Sequence, residues 1–224
     1  MKRVLQIKCN GWTSSPKMPF ILSGNSVCMH TPSYSLILGI LGCCMGRYVK
    51  ADEVEIGFHY QYDAVSKDTE TRHRLQNKQN QIKPHAKGTD AYVREFHSLP
   101  KLTIWLNRLD WKEQLQNPIG TPSLGASQDL LNIQEVKEVE VIELEKAKVS
   151  GTMIPFEIGE KAGGQLVQLA ESFEEIGDIG EGRKAVNSKI FISIPHDGFA
   201  ELRTKNLFEV VDTQQQFYLH KFGQ

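Results

Sequence analysis

The succession of elements in this chain predicts an α+β fold: a ferredoxin-like domain carrying a polar, basic insertion, followed by a smaller β-rich part. Three observations support it. A strand, a helix, two further strands and a short second helix follow one another as β-α-β-β-α, which lacks only a final strand. A stretch of about 65–90 has no core-facing pattern and interrupts the second strand. From about Ile133 the sequence turns to acidic, strand-like segments. The expected division is therefore 1–132, with the insertion inside it, and 133–224.

The first strand is expected over residues 3–9, with Leu5, Ile7 and Cys9 on one face and Gly11 ending it. A Pro- and Ser-containing loop runs to His30. Thr31 is the expected N-cap of the first helix and Pro32 its first residue, where the missing N–H costs nothing. Leu36, Ile37, Ile40, Leu41 and Cys44 recur at helical spacing, and Arg47 falls near the end that favours positive charge. Val54, Ile56, Phe58, Tyr60 and Tyr62 then alternate with polar residues and Gly57, the pattern of a half-buried strand. After the insertion, Tyr92–His97 and Leu102–Leu106 form strands joined by Ser98-Leu99-Pro100, and a short helix is expected around Leu109–Leu115. In the second half, strands are expected through Val139, Val141, Leu144 and Val149, at Lys189–Ile194, at Phe199–Arg203 and near Phe208–Val211, while 160–188 is too rich in Gly and Glu to assign.

The net charge of −1 conceals a division. Residues 1–112 hold 16 Lys/Arg against 9 Asp/Glu, and residues 113–224 hold 10 against 18. The positive excess peaks between Arg72 and Lys87, where Arg72, Arg74, Lys78, Lys83 and Lys87 alternate with His73 and His85 and no acid intervenes. A polyanion is the natural partner of such a run, and a solvated loop is the alternative. At 40% hydrophobic content the chain can bury a substantial core. Cys9, Cys28, Cys43 and Cys44 have no CxxC spacing and read as small core residues in a reducing cytoplasm. The longest apolar run, Leu36–Met45, is too short to span a membrane, and the start lacks a signal-peptide pattern. A soluble cytoplasmic protein without membrane contact is expected.

Several motifs compete for a chemical role. Gly39 and Gly42 each cost about 1 kcal/mol inside a helix relative to Ala, which implies a close approach, by another part of the fold or by a nucleic-acid backbone. Gly177, Gly180 and Gly182 resemble a phosphate loop, but Asp178 and Glu181 would repel a phosphate and no Lys-Ser/Thr follows. The seven histidines lack metal-ligand spacing, so no metal and no other cofactor is expected. Metal-free RNA cleavage needs converging proton donors and acceptors, for which His30 with Tyr34, or His85 with Lys87 and Tyr92, are the available sets.

Taken in order, a first strand ending near Gly11, the helix start and G-x-x-G helix Thr31-Pro32-Ser33-Tyr34-Ser35-Leu36-Ile37-Leu38-Gly39-Ile40-Leu41-Gly42, the Arg94-Glu95-Phe96 segment before a hairpin, and Pro122-Ser123-Leu124-Gly125-Ala126-Ser127 resemble the CRISPR-associated Cas-five family. This is the RAMP-superfamily subunit that holds the 5′ handle of the guide RNA in type I Cascade complexes, and type I-B is the most similar branch. The resemblance implies an RRM-like domain whose insertion is a basic thumb. It further implies crRNA, a backbone Cas-seven subunit and a large Cas-eight subunit as partners, with target DNA met only through the complex. The RNA-contacting residues it implies are Lys8, Trp12, His30, Thr31, Ser33, Tyr34, Gly39, Gly42, Arg47, Arg72, Arg74, Lys78, Lys83, His85, Lys87 and Arg94. Ala126 departs from the pattern, where the family often has Arg. In most branches this subunit caps the RNA without cutting it; in the type I-C branch it processes the precursor with a Tyr-Lys-His set containing an adjacent Lys-His pair. Here no Lys-His dipeptide occurs in the first half, and the reversed His220-Lys221 lies near the end. A non-catalytic cap is expected; the alternatives are an endoribonuclease and a stand-alone RNA-binding module.

Overall fold

The computed structural model describes residues 2–19, 24–159, 161–177 and 182–223. The first half contains β1 (Lys2–Gly11), β2 (Thr13–Ser14), β3 (Asn25–Ser26), α1 (Tyr34–Met45), β4 (Ile56–Gln61), β5 (Ala64–Lys78), β6 (Gln81–Ser98), β7 (Lys101–Leu106) and α2 (Lys112–Gln116). The second contains β8 (Leu131–Leu144), β9 (Ala147–Val149), β10 (Thr152–Pro155), β11 (Gln165–Glu175), β12 (Arg183–Ile194), β13 (Ala200–Leu202), β14 (Leu207–Val210) and β15 (Gln216–Tyr218).

β1 is central because both its faces find apolar cover. Leu5, Ile7 and Cys9 point toward α1 and α2 and join Ile37, Leu41, Phe58, Ile104 and Leu115 in the main core, whereas Val4 points the other way, with Trp105, Val139 and Phe217. Around it runs an antiparallel sheet in the order β15-β14-β8-β1-β7-β4. β8 is the final strand that completes β-α-β-β-α-β. It starts at Leu131 and lies beside β1, so the expected 132/133 division falls within one strand of one sheet. The two sheet edges nearly meet: Ile56 and His220 exchange backbone hydrogen bonds of 3.0 and 2.9 Å, and Phe217 stacks on Trp105 with centroids 4.3 Å apart. Gly57 is required there, since a Cβ would lie 2.6 Å from the Phe217 ring.

Several elements differ from expectation. The N-cap of α1 is Ser33, whose Oγ accepts from the Leu36 N–H at 3.2 Å; Thr31 and Pro32 precede the helix. The left-handed Gly46 closes it (φ 63°), and Arg47 lies beyond the cap. The second strand starts at Ile56, with Val54 and Glu55 outside it. Residues 160–188, unassigned from sequence, contribute β11, which pairs with β12; Asp178, Gly180 and Glu181 of the glycine-rich motif lie outside the described residues. The largest correction concerns the insertion, which is two long paired strands, β5 and β6.

Buried polar groups tie the second half to the first and hold the second half together. β10 lies against β4, with the Tyr60 N–H donating to the Gly151 carbonyl at 2.7 Å. Glu171 of β11 is 1% exposed and accepts from His220 Nε2, Lys189 Nζ and the Gly223 N–H, each at 3.1 Å. Burial works against its charge, but these donors prevail and hold its carboxyl down to about 2. Because that lies below the ordinary glutamate value of 4.5, the stabilisation is complete above pH 4.5 and is lost as pH falls toward 2. Denaturant unfolding across this range is expected to show the loss, flattened in Glu171→Gln. Glu171→Ala is expected to cost about 3–5 kcal/mol at neutral pH, because it strands buried donors.

Candidate nucleic-acid interface

The basic run is built into a hairpin arm. β5 and β6 turn at Gln79 and Asn80, both with positive φ (51° and 58°), the two-residue turn whose twist matches paired strands. At about 3.3 Å per residue, the 15 residues of β5 span roughly 50 Å. No residue from Ala64 to Val93 is buried, so the arm has no core of its own. Its register shifts between His73 and Leu75, which pair with Thr89 and Pro84, so residues 85–88, with Gly88 at φ 62°, lie opposite Arg74 alone.

The cations of the arm are not equivalent. Arg72 lies 3.7 Å above the Tyr92 ring, and Arg74 pairs with Asp90 at 2.5 Å. Lys67 near the base and Lys78, Lys83 and Lys87 farther out are exposed and form no ion pair among the described residues, so three of the four uncommitted charges sit at the outer half. His85 is half-buried, its Nδ1 accepting from the Lys87 N–H at 3.0 Å.

At its base the arm is clamped. β2 pairs with Ser98 and His97, and β3 runs parallel to Val93 and Arg94. Arg94 is buried with Nη1 3.6 Å from Asp129, which is itself fully buried and accepts from Thr13 Oγ1 at 2.6 Å and from the Ala126 N–H at 3.1 Å. The Pro122–Ser127 segment thus wraps the carboxylate that holds the arm. Gly125 has φ 117°, and a Cβ there would lie 2.1 Å from the Ser15 carbonyl oxygen.

Several residues expected to touch RNA are spent on the fold. Arg94 belongs to the buried pair. Thr31 is buried with Oγ1 2.8 Å from Ser193 Oγ, and Ser33 is the helix cap. Tyr34 is buried, donates to the Met153 carbonyl at 2.5 Å and stacks on His220 at 4.2 Å. Arg47 is exposed but bonded to Glu53 at 2.8 Å. His30 remains half-exposed beside Gln165, Lys8 pairs with Glu135 at 3.4 Å, and Trp12 stands 83% exposed.

A cluster invisible as a sequence motif forms where the arm meets the core. Tyr62 stacks on His97 at 3.7 Å and meets the edge of His196 at 4.7 Å. His97 Nδ1 bonds Tyr60 Oη at 2.7 Å, and Tyr60 bonds Ser14 at 2.5 Å. Burial, and then the neighbouring His30 and His196, push His97 down to about 4, so it is neutral at physiological pH. The only trace of this cluster in the sequence is the aromatic run of β4 continued through Tyr62. The four residues come from segments up to 166 positions apart: His30, Tyr62, His97 and His196.

No family model and no curated protein matches the chain. Its fold is similar to solved structures at low identity. One is a chain of a CRISPR RNA-guided surveillance complex (TM-score 0.54, 12% identity, covering 85% of this chain and 90% of that one). A CRISPR protein from Archaeoglobus fulgidus gives 0.50 and 11%, covering 98% and 99%. A chain of the type III-B Cmr-beta complex bound to cognate target RNA gives 0.51 and 10%, covering 98% and 99%. These likenesses establish a shared fold.

The two helix glycines have separate explanations. A Cβ at Gly42 would lie 2.9 Å from the Arg47 carbonyl oxygen, so the close approach is made by the chain itself; at Gly39 nothing lies within 4 Å. Gly42→Ala is expected to lower the melting temperature, and Gly39→Ala to raise stability by about 1 kcal/mol. Thermal melts of the two variants check the contrast.

Proposed function

We propose that this chain is the RNA-binding, non-catalytic subunit of a CRISPR effector complex, of the Cas-five type, in which the β5–β6 arm is the thumb that lies over the 5′ handle of the crRNA. The observation that carries the reading is the arm: long, coreless, rigidly clamped at its base, and ending in three uncommitted lysines. A hairpin of this kind contributes nothing to the core, and its charge suits a phosphate backbone. The fold shared with CRISPR complex chains supports a place beside other subunits, with a backbone Cas-seven and a large Cas-eight protein as the neighbours proposed. Type I-B remains the proposed branch, with target DNA reached through the assembly.

A binding role without cleavage is supported by how the candidate proton-transfer groups are used. Tyr34 is sealed in the core, His97 is neutral and bonded to Tyr60, and His85 sits far out on the arm beside Lys87. No adjacent Lys-His pair stands in the first half.

Replacing Lys78, Lys83 and Lys87 by Ala is expected to weaken binding to single-stranded RNA irrespective of sequence. The salt slope of log K should fall by about 0.7 for each phosphate no longer neutralised, with an unchanged melting temperature. Fluorescence anisotropy across a salt series measures it, and an unaltered slope would reduce the arm to a solvated hairpin. Incubation with repeat-containing precursor RNA in EDTA should leave the RNA intact; cleavage abolished by His30→Ala would favour the endoribonuclease reading.

A further inference from the structure

We infer that the mouth of the nearly closed sheet, together with the depression beside Trp12, is a second contact surface for single-stranded RNA, apart from the arm. This rests on the reading of the chain as an RNA-binding protein.

The sheet face opposite α1 and α2 is divided. Toward one end, Trp105, Phe217, Val139 and Phe208 fill it; toward the other the apolar filling stops. Register then places polar residues in two rows across four strands. Asn132, Asn10, Lys101 and Gln61 form the outer row, and Glu135, Lys8, Thr103 and His59 the inner one. Adjacent strands are about 4.8 Å apart, so each row offers hydrogen-bonding groups over roughly 15 Å. A depression of about 240 Å³ is lined by Lys8, His59, Gln61, Lys101, Thr103 and Gln134. His59 is fixed by its Nδ1 contact of 2.9 Å with the Ser150 carbonyl oxygen.

Beyond the outer row the surface becomes apolar. Asn10 and Asn132 also line a second depression of about 500 Å³ whose other walls include Trp12, Leu99 and Leu130. Trp12 is 83%, Leu130 53% and Leu99 43% exposed. An indole this open, beside amides that can both donate and accept, one of which pairs across the sheet with Lys101, has the chemistry of a stacking platform for an unpaired base. The charge agrees: Glu135, the one acid of the two rows, is already held by Lys8 at 3.4 Å and Lys137 at 3.2 Å, and Lys101 forms no ion pair among the described residues. The amides and the Thr103 hydroxyl suit base edges and ribose hydroxyls, which favours RNA as the occupant.

Continuity with the arm gives the path. Trp12 immediately precedes β2, which pairs with the base of β6, and its carbonyl accepts from the Leu99 N–H at 2.9 Å. A strand leaving the arm would meet Trp12 first and the polar rows next.

The test uses the full chain and a labelled eight-nucleotide oligouridine. Trp12→Ala is expected to bind about ten-fold more weakly with an unchanged salt slope, since stacking releases no counterions. Lys101→Ala is expected to lower the slope by about 0.7. Because Trp105 and Trp111 are buried, quenching of the exposed-indole emission on RNA addition reports Trp12 directly and should vanish in Trp12→Ala. Wild-type affinity in both variants, with binding reduced only by the arm lysine substitutions, would overturn the proposal and leave the functional reading standing. Equal affinity for the matching oligodeoxynucleotide would overturn the assignment to RNA. Failure of the unmodified chain to bind any single strand would remove both.

Discussion

The rest of the structure depends on one buried contact, the His220 imidazole against the Glu171 carboxylate. His220 exchanges backbone hydrogen bonds with Ile56, bringing the last strand back to β4 and nearly closing the main sheet. Its ring stacks on Tyr34 at the start of α1, and Tyr34 in turn bonds the Met153 carbonyl of β10. Glu171 gathers Lys189 of β12 and the Gly223 N–H into the same node. A carboxylate in a site this dry is tolerated because three donors meet its two oxygens, while burial lowers the pKa of the His220 imidazole. The node decides where α1, β11 and the C-terminal residues lie relative to one another.

The charge division of the sequence has two physical origins, and separating them changes its meaning. Part of it is internal. Arg3 and Lys112 both reach Glu138, and Lys8 reaches Glu135, so cations of the first half lie along acids of β8. Such exposed pairs are worth about 0–1 kcal/mol each, but they make the basic β1 and the acidic β8 suitable neighbours. In the arm Arg72 and Arg74 are engaged locally, whereas Lys67, Lys78, Lys83 and Lys87 form no ion pair among the described residues, and neither does Lys101 of β7. The sequence-level excess therefore overstates the cations available to a ligand.

Much of the fold is legible in the sequence because its periodicities are clean. The alternation from Ile56 to Tyr60, the spacing of Ile37, Leu41 and Cys44, and the acidic β8 correspond to a sheet strand, a core-facing helix and the strand that completes the domain. The arm reads as an insertion but not as strands, because neither of its faces is buried and period-two patterning appears only where one face is apolar. β11 escapes for a related reason: its buried residues include Glu171 and Ser172, polar groups whose partners lie far along the chain. The site residues divide in the same way. Exposed lysines announce themselves by composition, whereas Thr31, Ser33, Tyr34 and Arg94 have side chains equally suited to RNA and to a buried hydrogen-bond network, and only three-dimensional placement tells these uses apart.

The Arg94 and Pro122–Ser127 segments show what that ambiguity means mechanically. The resemblance marks Arg94 as a ligand contact and Pro122–Ser127 only as a landmark; in the structure both hold the root of the arm. Asp129 fixes Arg94, Thr13 and the Ala126 N–H at the root of the arm, while Gly125 allows the loop to touch the Ser15 backbone. A coreless hairpin some 50 Å long would otherwise sample many directions, and binding would have to overcome that freedom. Anchoring its root through a buried ion pair fixes the direction before any ligand arrives, so the outer lysines meet a phosphate backbone with less ordering left to do.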